Sequence, residues 1–271
     1  MLNYSINRSL RNLVVALNLL IALAITTCSE GCVRRLGSNQ IYENVIFIPS
    51  VRDTNVKYET TVFTTTESEA DSSPIVIINH GTNPGGKQNR DREIWPTHFF
   101  TNLGYTVILP MRRGYANSTG TRVGLYECDL TQYGLENAAD IEDIVTWLET
   151  QKKYKSRKII LIGQSTGGLA TMAYSSLTTH PVDAIINFHG GMRPSSPPSL
   201  WFYTANDHSS NPEYISRLYK SFADAGGTAK LIQLPAFKSD GHYLFGDPDG
   251  GSIWQPIVLD YLRERHLIPN N

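Results

Sequence analysis

The chain has 271 residues, of which 41% are hydrophobic and 18% are charged, and its formal net charge is −1 at pH 7. This length can bury one substantial core, so a single α/β domain is the simplest interpretation. The near-neutral charge, without any basic stripe, argues against a nucleic-acid partner.

The N-terminal segment has the order of a signal peptide. Two arginines precede the apolar stretch Leu13–Ile25, which is shorter than the roughly 18–20 residues that span a bilayer. We therefore predict a signal peptide over residues 1–27, a linker over residues 28–40 and one domain over residues 41–271. The protein is then exported, whether periplasmic, held as an outer-membrane lipoprotein or secreted.

Two routes of signal processing compete. Cleavage after Ala22-Leu23-Ala24 would release a soluble protein, whereas Ile25-Thr26-Thr27-Cys28 resembles a bacterial lipobox, in which Cys28 carries a lipid anchor. That anchor is the only membrane contact that we expect; an uncleaved membrane anchor is the remaining alternative. With Cys28 acylated, Cys32 and Cys128 remain as a pair that an oxidising compartment would allow to form a disulfide.

From about residue 41 onward, segments typical of strands alternate with helical segments. The eight predicted strands cover residues 41–48, 56–64, 74–79, 105–109, 158–162, 184–188, 200–204 and 230–234. The predicted helices cover residues 93–103, 136–152, 166–177, 212–225 and 253–265, and residues 112–133 predict a loop. This alternation predicts an α/β fold with a mostly parallel eight-stranded sheet, helices on both faces and no large lid domain. Catalytic residues are then expected at the carboxyl ends of the strands.

The pentapeptide Gly163-Gln164-Ser165-Thr166-Gly167 lies between a predicted strand and a predicted helix. A serine on such a turn has a strained backbone, and its hydroxyl points outward. Because Gly163 and Gly167 lack a Cβ atom, the strand and the helix can approach each other beside the serine. The pattern alone is weak evidence, but its position between a strand and a helix favours Ser165 as a nucleophile. The alternative is that Ser165 only caps the helix.

A serine hydroxyl is a weak nucleophile at neutral pH, so it needs a base, and the base needs an orienting acid. Asp207 and His242 each follow a predicted strand. The chain order Ser165, Asp207, His242 is the order expected for a site of this kind on an α/β sheet. Alternatives remain for both partners: Asp240 and Asp247 for the acid, and His189 and His80 for the base.

Four motifs carry a resemblance to known proteins: Gly163-Gln164-Ser165-Thr166-Gly167, Asn79-His80-Gly81, Asn206-Asp207 and Gly241-His242. Together they resemble the α/β-hydrolase superfamily, and the layout is similar to its dienelactone-hydrolase-like and acyl-peptidase-like members. The likeness covers about residues 41–266. Dienelactone hydrolases proper use a cysteine nucleophile, whereas this chain has Ser165, which argues against dienelactone as the substrate.

The resemblance implies a role for each of these positions. Ser165 attacks the substrate carbonyl, His242 takes its proton and passes it to the leaving group, and Asp207 orients the imidazole. The backbone N–H groups of Thr166 and Thr82 form the oxyanion hole, where loss of one donor typically costs about 2.7–4 kcal/mol of transition-state stabilisation.

The function expected from these residues is that of a serine hydrolase acting on a small carboxylic ester through an acyl-enzyme intermediate. A peptidase or amidase, or an acyltransferase, would use the same triad, and a non-catalytic exported binding protein is the alternative from another class. Tyr115 and Tyr243 are expected to line the substrate pocket. Arg112-Arg113 could pair with an acidic group of the substrate or with carboxylates of the protein itself.

We predict neither a cofactor nor a metal ion. The histidines lack the paired helical spacing of metal ligands, and three cysteines are too few for a zinc site. No glycine loop of the phosphate-binding type follows the first strands.

Overall fold

The computed structural model describes most of the chain from residue 40 onward. The predicted signal peptide, the linker up to residue 39 and all three cysteines lie outside the described residues, and with them the proposed lipidation and disulfide. The structure describes residues 40–66, 68, 73–82, 89–124, 129–155, 157–176, 181–190 and 198–269.

Eight strands form one sheet in the order β1-β2-β4-β3-β5-β6-β7-β8. Only the pairs β1–β2 and β2–β4 are antiparallel, and every pair from β4 to β8 is parallel. The predicted mostly parallel eight-stranded sheet is therefore confirmed. The strands are β1 (Tyr42–Pro49), β2 (Lys57–Thr64), β3 (Ile75–Asn79), β4 (Thr106–Pro110), β5 (Ile159–Gln164), β6 (Ala184–Phe188), β7 (Ser199–Thr204) and β8 (Ala229–Leu234).

The described residues contain five α-helices and one short 3₁₀ turn at Gly241–Tyr243. The helix predicted to begin at residue 136 begins earlier, at Leu130, because the Asp129 side chain accepts a hydrogen bond of 2.8 Å from the N–H of Gln132 and caps the helix there. Residues 130–133 of the predicted loop over residues 112–133 therefore belong to this helix. The helices are α1 (Ile94–Asn102), α2 (Leu130–Thr150), α3 (Thr166–Tyr174), α4 (Pro212–Asp224) and α5 (Gly251–Glu264).

Alternate residues of the central strands face two separate apolar cores, as the two-residue period of a strand requires. In β3, Ile75 and Ile77 belong to a core shared with helices α2, α3 and α4. Val76 and Ile78 belong to the opposite core, which is shared with α1 and α5. All five residues of β3 are buried, since both faces of the sheet are covered. The helices therefore lie on both faces, as predicted.

The strand connections are compact in the part of the chain that the structure describes. Between β6 and β7 the described residues are His189, Gly190 and Pro198, and no described connection forms a lid domain. Within the same described ranges, no helix combines the length and the apolar character needed to cross a membrane.

The turn between β5 and α3 is packed too tightly for side chains at its two flanking glycines. A Cβ atom on Gly163 would lie 2.4 Å from the carbonyl oxygen of Gly167. A Cβ atom on Gly167 would lie 2.1 Å from the carbonyl oxygen of Asn79, at the end of β3. The predicted steric role of these glycines is confirmed, and α3 thereby packs directly on the backbone of a neighbouring strand.

Replacing Gly167 by alanine should strongly destabilise the protein. The added methyl group meets backbone atoms that cannot rotate away, so Gly167→Ala is expected to lower the free energy of unfolding by about 3 kcal/mol. Gly226→Ala is the matched control: Gly226 has a φ of 86°, but nothing lies within 4 Å of its Cβ position, so only about 1 kcal/mol of conformational cost is expected. Urea unfolding measures both values, and equal losses would contradict the packing argument.

Candidate active site

Ser165 occupies the strained turn between β5 and α3. Its φ of 54° and ψ of −122° are unusual for a residue with a side chain. The turn is held by the backbone N–H of Ser165, which donates to the carbonyl oxygen of Phe188 at 2.8 Å. The Ser165 side chain makes no capping hydrogen bond to α3, so the interpretation of this residue as a plain helix cap is wrong.

Asp207 and His242 lie in contact beyond the ends of β7 and β8. The carboxylate oxygen Oδ1 of Asp207 accepts a hydrogen bond from Nδ1 of His242 at 3.0 Å and another from the N–H of Ser209 at 2.8 Å. Both Asp207 and His242 are buried. An ionised carboxylate at Nδ1 holds the ring proton on that nitrogen, which leaves the lone pair on Nε2.

The two alternative acids make other contacts. Asp240 accepts a hydrogen bond of 3.0 Å from the backbone N–H of His242 and one of 3.3 Å from that of His208, and so fixes the backbone rather than the ring. Asp247 forms an ion pair with Lys238 at 2.7 Å. Of the three candidate acids, only Asp207 contacts the His242 ring.

The loop of His242 is joined to the Ser165 turn through the neighbouring side chain. Nε2 of Gln164 donates to the carbonyl oxygen of His242 at 3.3 Å. Among the described residues, no hydrogen bond joins the Ser165 hydroxyl to the His242 ring. Hydrogen bonds between a nucleophile and its base often become short only when substrate binds.

The loop after β3 lies directly against the Ser165 turn. A Cβ atom built on Gly81 would lie 3.4 Å from the Cβ of Ser165. The hydroxyls of the two expected oxyanion residues are joined, since Thr166 donates to Thr82 at 2.8 Å. The backbone N–H groups of Thr82 and Thr166 donate no hydrogen bond to another described residue. Two N–H groups are therefore available beside Ser165.

The Thr82 hydroxyl is held by a network of buried polar groups. It lies 3.0 Å from the hydroxyl of Tyr115 and 3.1 Å from that of Tyr133. Nη2 of Arg112 donates to both threonine hydroxyls, at 3.3 Å to Thr82 and 3.4 Å to Thr166. Such a network fixes the position of the loop relative to the turn.

The sequence predicted that Tyr115 lines the substrate pocket, but the structure buries its side chain. Only 1% of its surface is exposed, because its ring packs edge-on to His80 and its hydroxyl supports Thr82. Tyr243, by contrast, is 64% exposed and lies edge-on to the His242 ring, with 5.8 Å between the ring centroids. The contact between Tyr133 and Thr82 was not predicted, since the two residues lie 51 positions apart in the chain.

The two adjacent arginines have different surroundings. Arg113 pairs with the protein's own Asp140 at 3.0 Å, as one of the two sequence interpretations expected. Arg112 is buried, with 2% of its surface exposed, and forms no ion pair with a carboxylate of the described residues. Burial, together with the charge of Arg112, holds the pKa of His80 well below its usual range. His80 is therefore neutral, and its Nε2 accepts a hydrogen bond of 3.2 Å from the backbone N–H of Arg112.

His189, at the end of β6, lies close to the Asp207–His242 pair. Its ring centroid is 5.3 Å from that of His242, and its Nε2 is 3.5 Å from the Thr204 hydroxyl. Burial lowers the pKa of His189 to about 4, so the ring is neutral at pH 7. The chain holds this residue at a φ of 59°, a conformation that side chains rarely adopt.

Comparison with known proteins agrees with the fold described above. A family model described as the alpha/beta hydrolase fold matches residues 74–245. An esterase from Pyrococcus furiosus superposes with a TM-score of 0.65 at 15% identity, covering 84% of this chain and 92% of that chain. A dienelactone-hydrolase-like protein from Klebsiella pneumoniae superposes with a TM-score of 0.60 at 18% identity, covering 82% of this chain and 98% of that chain.

A third similar structure is Thermogutta terrifontis esterase 2 phosphorylated by paraoxon, with a TM-score of 0.62 at 16% identity, covering 84% of this chain and 96% of that chain. No curated protein sequence matches the chain. At these identities the solved structures establish the fold, and the family match extends over more than half of the sequence. The chain belongs to the α/β-hydrolase fold family.

Proposed function

We propose that this protein is a serine hydrolase that cleaves carboxylic esters through an acyl-enzyme intermediate. The observation that carries the proposal is the 3.0 Å hydrogen bond between His242 and Asp207. It lies at the carboxyl ends of parallel strands, the same edge of the sheet as the strained Ser165 turn. The esterases among the similar structures support the same conclusion.

In this mechanism the Ser165 hydroxyl attacks the ester carbonyl while Nε2 of His242 takes its proton. Asp207 keeps the other ring proton on Nδ1 and stabilises the imidazolium that forms. The tetrahedral intermediate collapses as His242 returns the proton to the departing alcohol. Water then attacks the acyl-enzyme, with His242 again acting as base, and the carboxylic acid is released.

The negative charge of the tetrahedral intermediate would be stabilised by the backbone N–H groups of Thr82 and Thr166. The hydrogen bond between the two threonine hydroxyls keeps both donors in a fixed relation before substrate arrives. Fixed donors of this kind contribute more than mobile ones, because they need no reorganisation during the reaction. The buried charge of Arg112 adds a favourable field at the same place.

The base in this proposal is His242 rather than His189. A general base must carry a positive charge in the transition state, and that charge needs a carboxylate at the second ring nitrogen. His242 has such a contact with Asp207 through Nδ1. Nδ1 of His189 is buried and has no hydrogen-bond partner among the described residues.

Covalent labelling tests the nucleophile. A fluorophosphonate probe is expected to label the protein once, at Ser165, and Ser165→Ala should abolish labelling and reduce ester hydrolysis about a million-fold. Paraoxon, which phosphorylates the Thermogutta esterase, should inactivate the wild type in the same way. Persistent labelling of Ser165→Ala would overturn the assignment. Comparing p-nitrophenyl esters with p-nitroanilides of the same acyl group then separates an esterase from an amidase.

A pair of matched variants tests the acid. Asp207→Asn should lower kcat about 10,000-fold, because the amide no longer holds the productive tautomer of His242. Asp240→Asn should change kcat by less than about tenfold, since asparagine caps the His242 backbone as well as aspartate does. Similar losses in both variants, measured with a short-chain ester, would contradict the assignment of Asp207.

The burial of His189 should appear in the pH dependence of stability. In the unfolded chain this ring protonates near pH 6.5, and in the folded protein only near pH 4. Between these values the unfolded state binds more protons, so the free energy of unfolding falls as the pH is lowered, by roughly 3 kcal/mol in total. His189→Gln should remove that part of the slope in urea unfolding between pH 6.5 and 4. The same change at the exposed His208 should leave the slope in place, and identical slopes in all three proteins would refute the prediction.

A further inference from the structure

Three side chains of the kinds that bind metal ions lie close together at the carboxyl edge of the sheet. His189, Asp207 and His242 come from the ends of β6, β7 and the turn after β8. Each offers one ligand atom, and the three atoms all lie within 4.8 Å of one another. All three side chains are buried, so water cannot fully solvate them.

Two of the polar atoms in this cluster have no hydrogen-bond partner among the described residues. They are Oδ2 of Asp207 and Nδ1 of His189, and both are buried. A buried polar atom without a partner costs folding free energy, so each such atom in a native structure needs an explanation. The proposed triad uses only Oδ1 of Asp207, and it uses no atom of His189.

We propose that His189, Asp207 and His242 form a binding site for zinc(II), and that zinc bound there switches the hydrolase off. The inhibitory part of this proposal rests on the proposed function, whereas the metal site itself does not. Two imidazoles and one carboxylate are a known ligand set for zinc, with water completing the tetrahedron. The carboxylate also supplies negative charge next to the cation.

The geometry requires only small movements. Nδ1 of His242 and Oδ1 of Asp207 are 3.0 Å apart, and tetrahedral zinc with bonds of about 2.0–2.1 Å holds its ligands about 3.3 Å apart. Since the three ligand atoms lie within 4.8 Å of one another, no pair needs to close by more than roughly 1.5 Å. Rotation of His189 is the simplest route, because Nδ1 has no hydrogen-bond partner among the described residues and the hydrogen bond lost is the long one of 3.5 Å between Nε2 and the Thr204 hydroxyl.

Zinc at this site would block the reaction through the tautomer of His242. The metal takes the lone pair of Nδ1, and the proton that Nδ1 carried moves to Nε2. The ring remains neutral, and no oxidation or reduction occurs. Nε2 then has no lone pair with which to accept the Ser165 proton, and Asp207 is held by the metal instead of the ring.

Cobalt(II) is the probe for the site, because its tetrahedral complexes absorb visible light whereas zinc is spectroscopically silent. Full-length Ser165→Ala protein, titrated with Co²⁺, is expected to develop this absorption with one ion per chain and to lose it on addition of Zn²⁺. Ser165→Ala/His189→Gln should bind Co²⁺ at least about 100-fold more weakly. Ser165→Ala/His208→Gln, which removes a histidine whose side chain is 69% exposed, should bind it as Ser165→Ala does. Absence of the absorption, or equal binding by all three proteins, would overturn the site.

A second measurement tests the inhibition. Zn²⁺ should slow fluorophosphonate labelling of the wild type, EDTA should restore it, and the zinc concentration for half-inhibition should rise at least about 100-fold in His189→Gln. Inhibition that is equally strong in His189→Gln would refute the proposal. If the wild type is not labelled even in EDTA, the proposed serine hydrolase fails while the cobalt titration still decides whether the metal site exists.

Discussion

The close approach of β5 and α3 is the constraint on which the rest of the site depends. At Gly167 the helix touches the backbone of β3, and at Ser165 the turn is tied to the last carbonyl group of β6. Since β3 and β6 are the two neighbours of β5 in the sheet, the turn is fixed from both sides. The strained backbone of Ser165 persists because these contacts leave it no alternative.

The order of the strands then distributes the chemistry along one edge of the sheet. The loop after β3, with Thr82, lies on one side of the Ser165 turn, and the loop after β6, with His189, lies on the other. Asp207 and His242 follow β7 and β8, farther along the same edge. Parallel pairing from β4 to β8 is what brings these loops together, because it aligns the carboxyl ends of the strands. Side chains that act together with Ser165 are therefore expected on the loops that follow these neighbouring strands.

The elements and the motif residues were predictable from the sequence because both depend on local patterns. Runs of β-branched residues located the strands, and the glycines of the pentapeptide had a steric reason that the structure bears out. The start of α2 was missed because it depends on one capping side chain, that of Asp129. The burial of Tyr115 was missed for a different reason: its hydroxyl partner, Thr82, lies on a distant segment.

The partners of the charged side chains could not be predicted from the sequence either, because they lie on distant segments. The sequence does not distinguish the two adjacent arginines. In the structure Arg113 forms an ion pair with Asp140 on α2, whereas Arg112 is buried and donates to neutral hydroxyl and carbonyl groups. A buried guanidinium is costly unless it is paired, and no carboxylate of the described residues forms an ion pair with Arg112. Its position beside Thr82 and Thr166 agrees with the proposed role of its charge in the site.

His189 also carries a cost in folding free energy that the triad does not explain. A residue that is held at a positive φ, costing about 1–2 kcal/mol, and that also buries a ring nitrogen without a partner adds two unfavourable terms at one position. Neither term helps to orient His242, because Asp207 alone makes that contact. If His189 is the third ligand of a metal ion, its buried Nδ1 gains a partner. The other two ligands are then Asp207 and His242, the pair that the proposed catalysis requires. Hydrolysis and metal binding would then be mutually exclusive, since a single lone pair on His242 cannot be placed on both nitrogens at once.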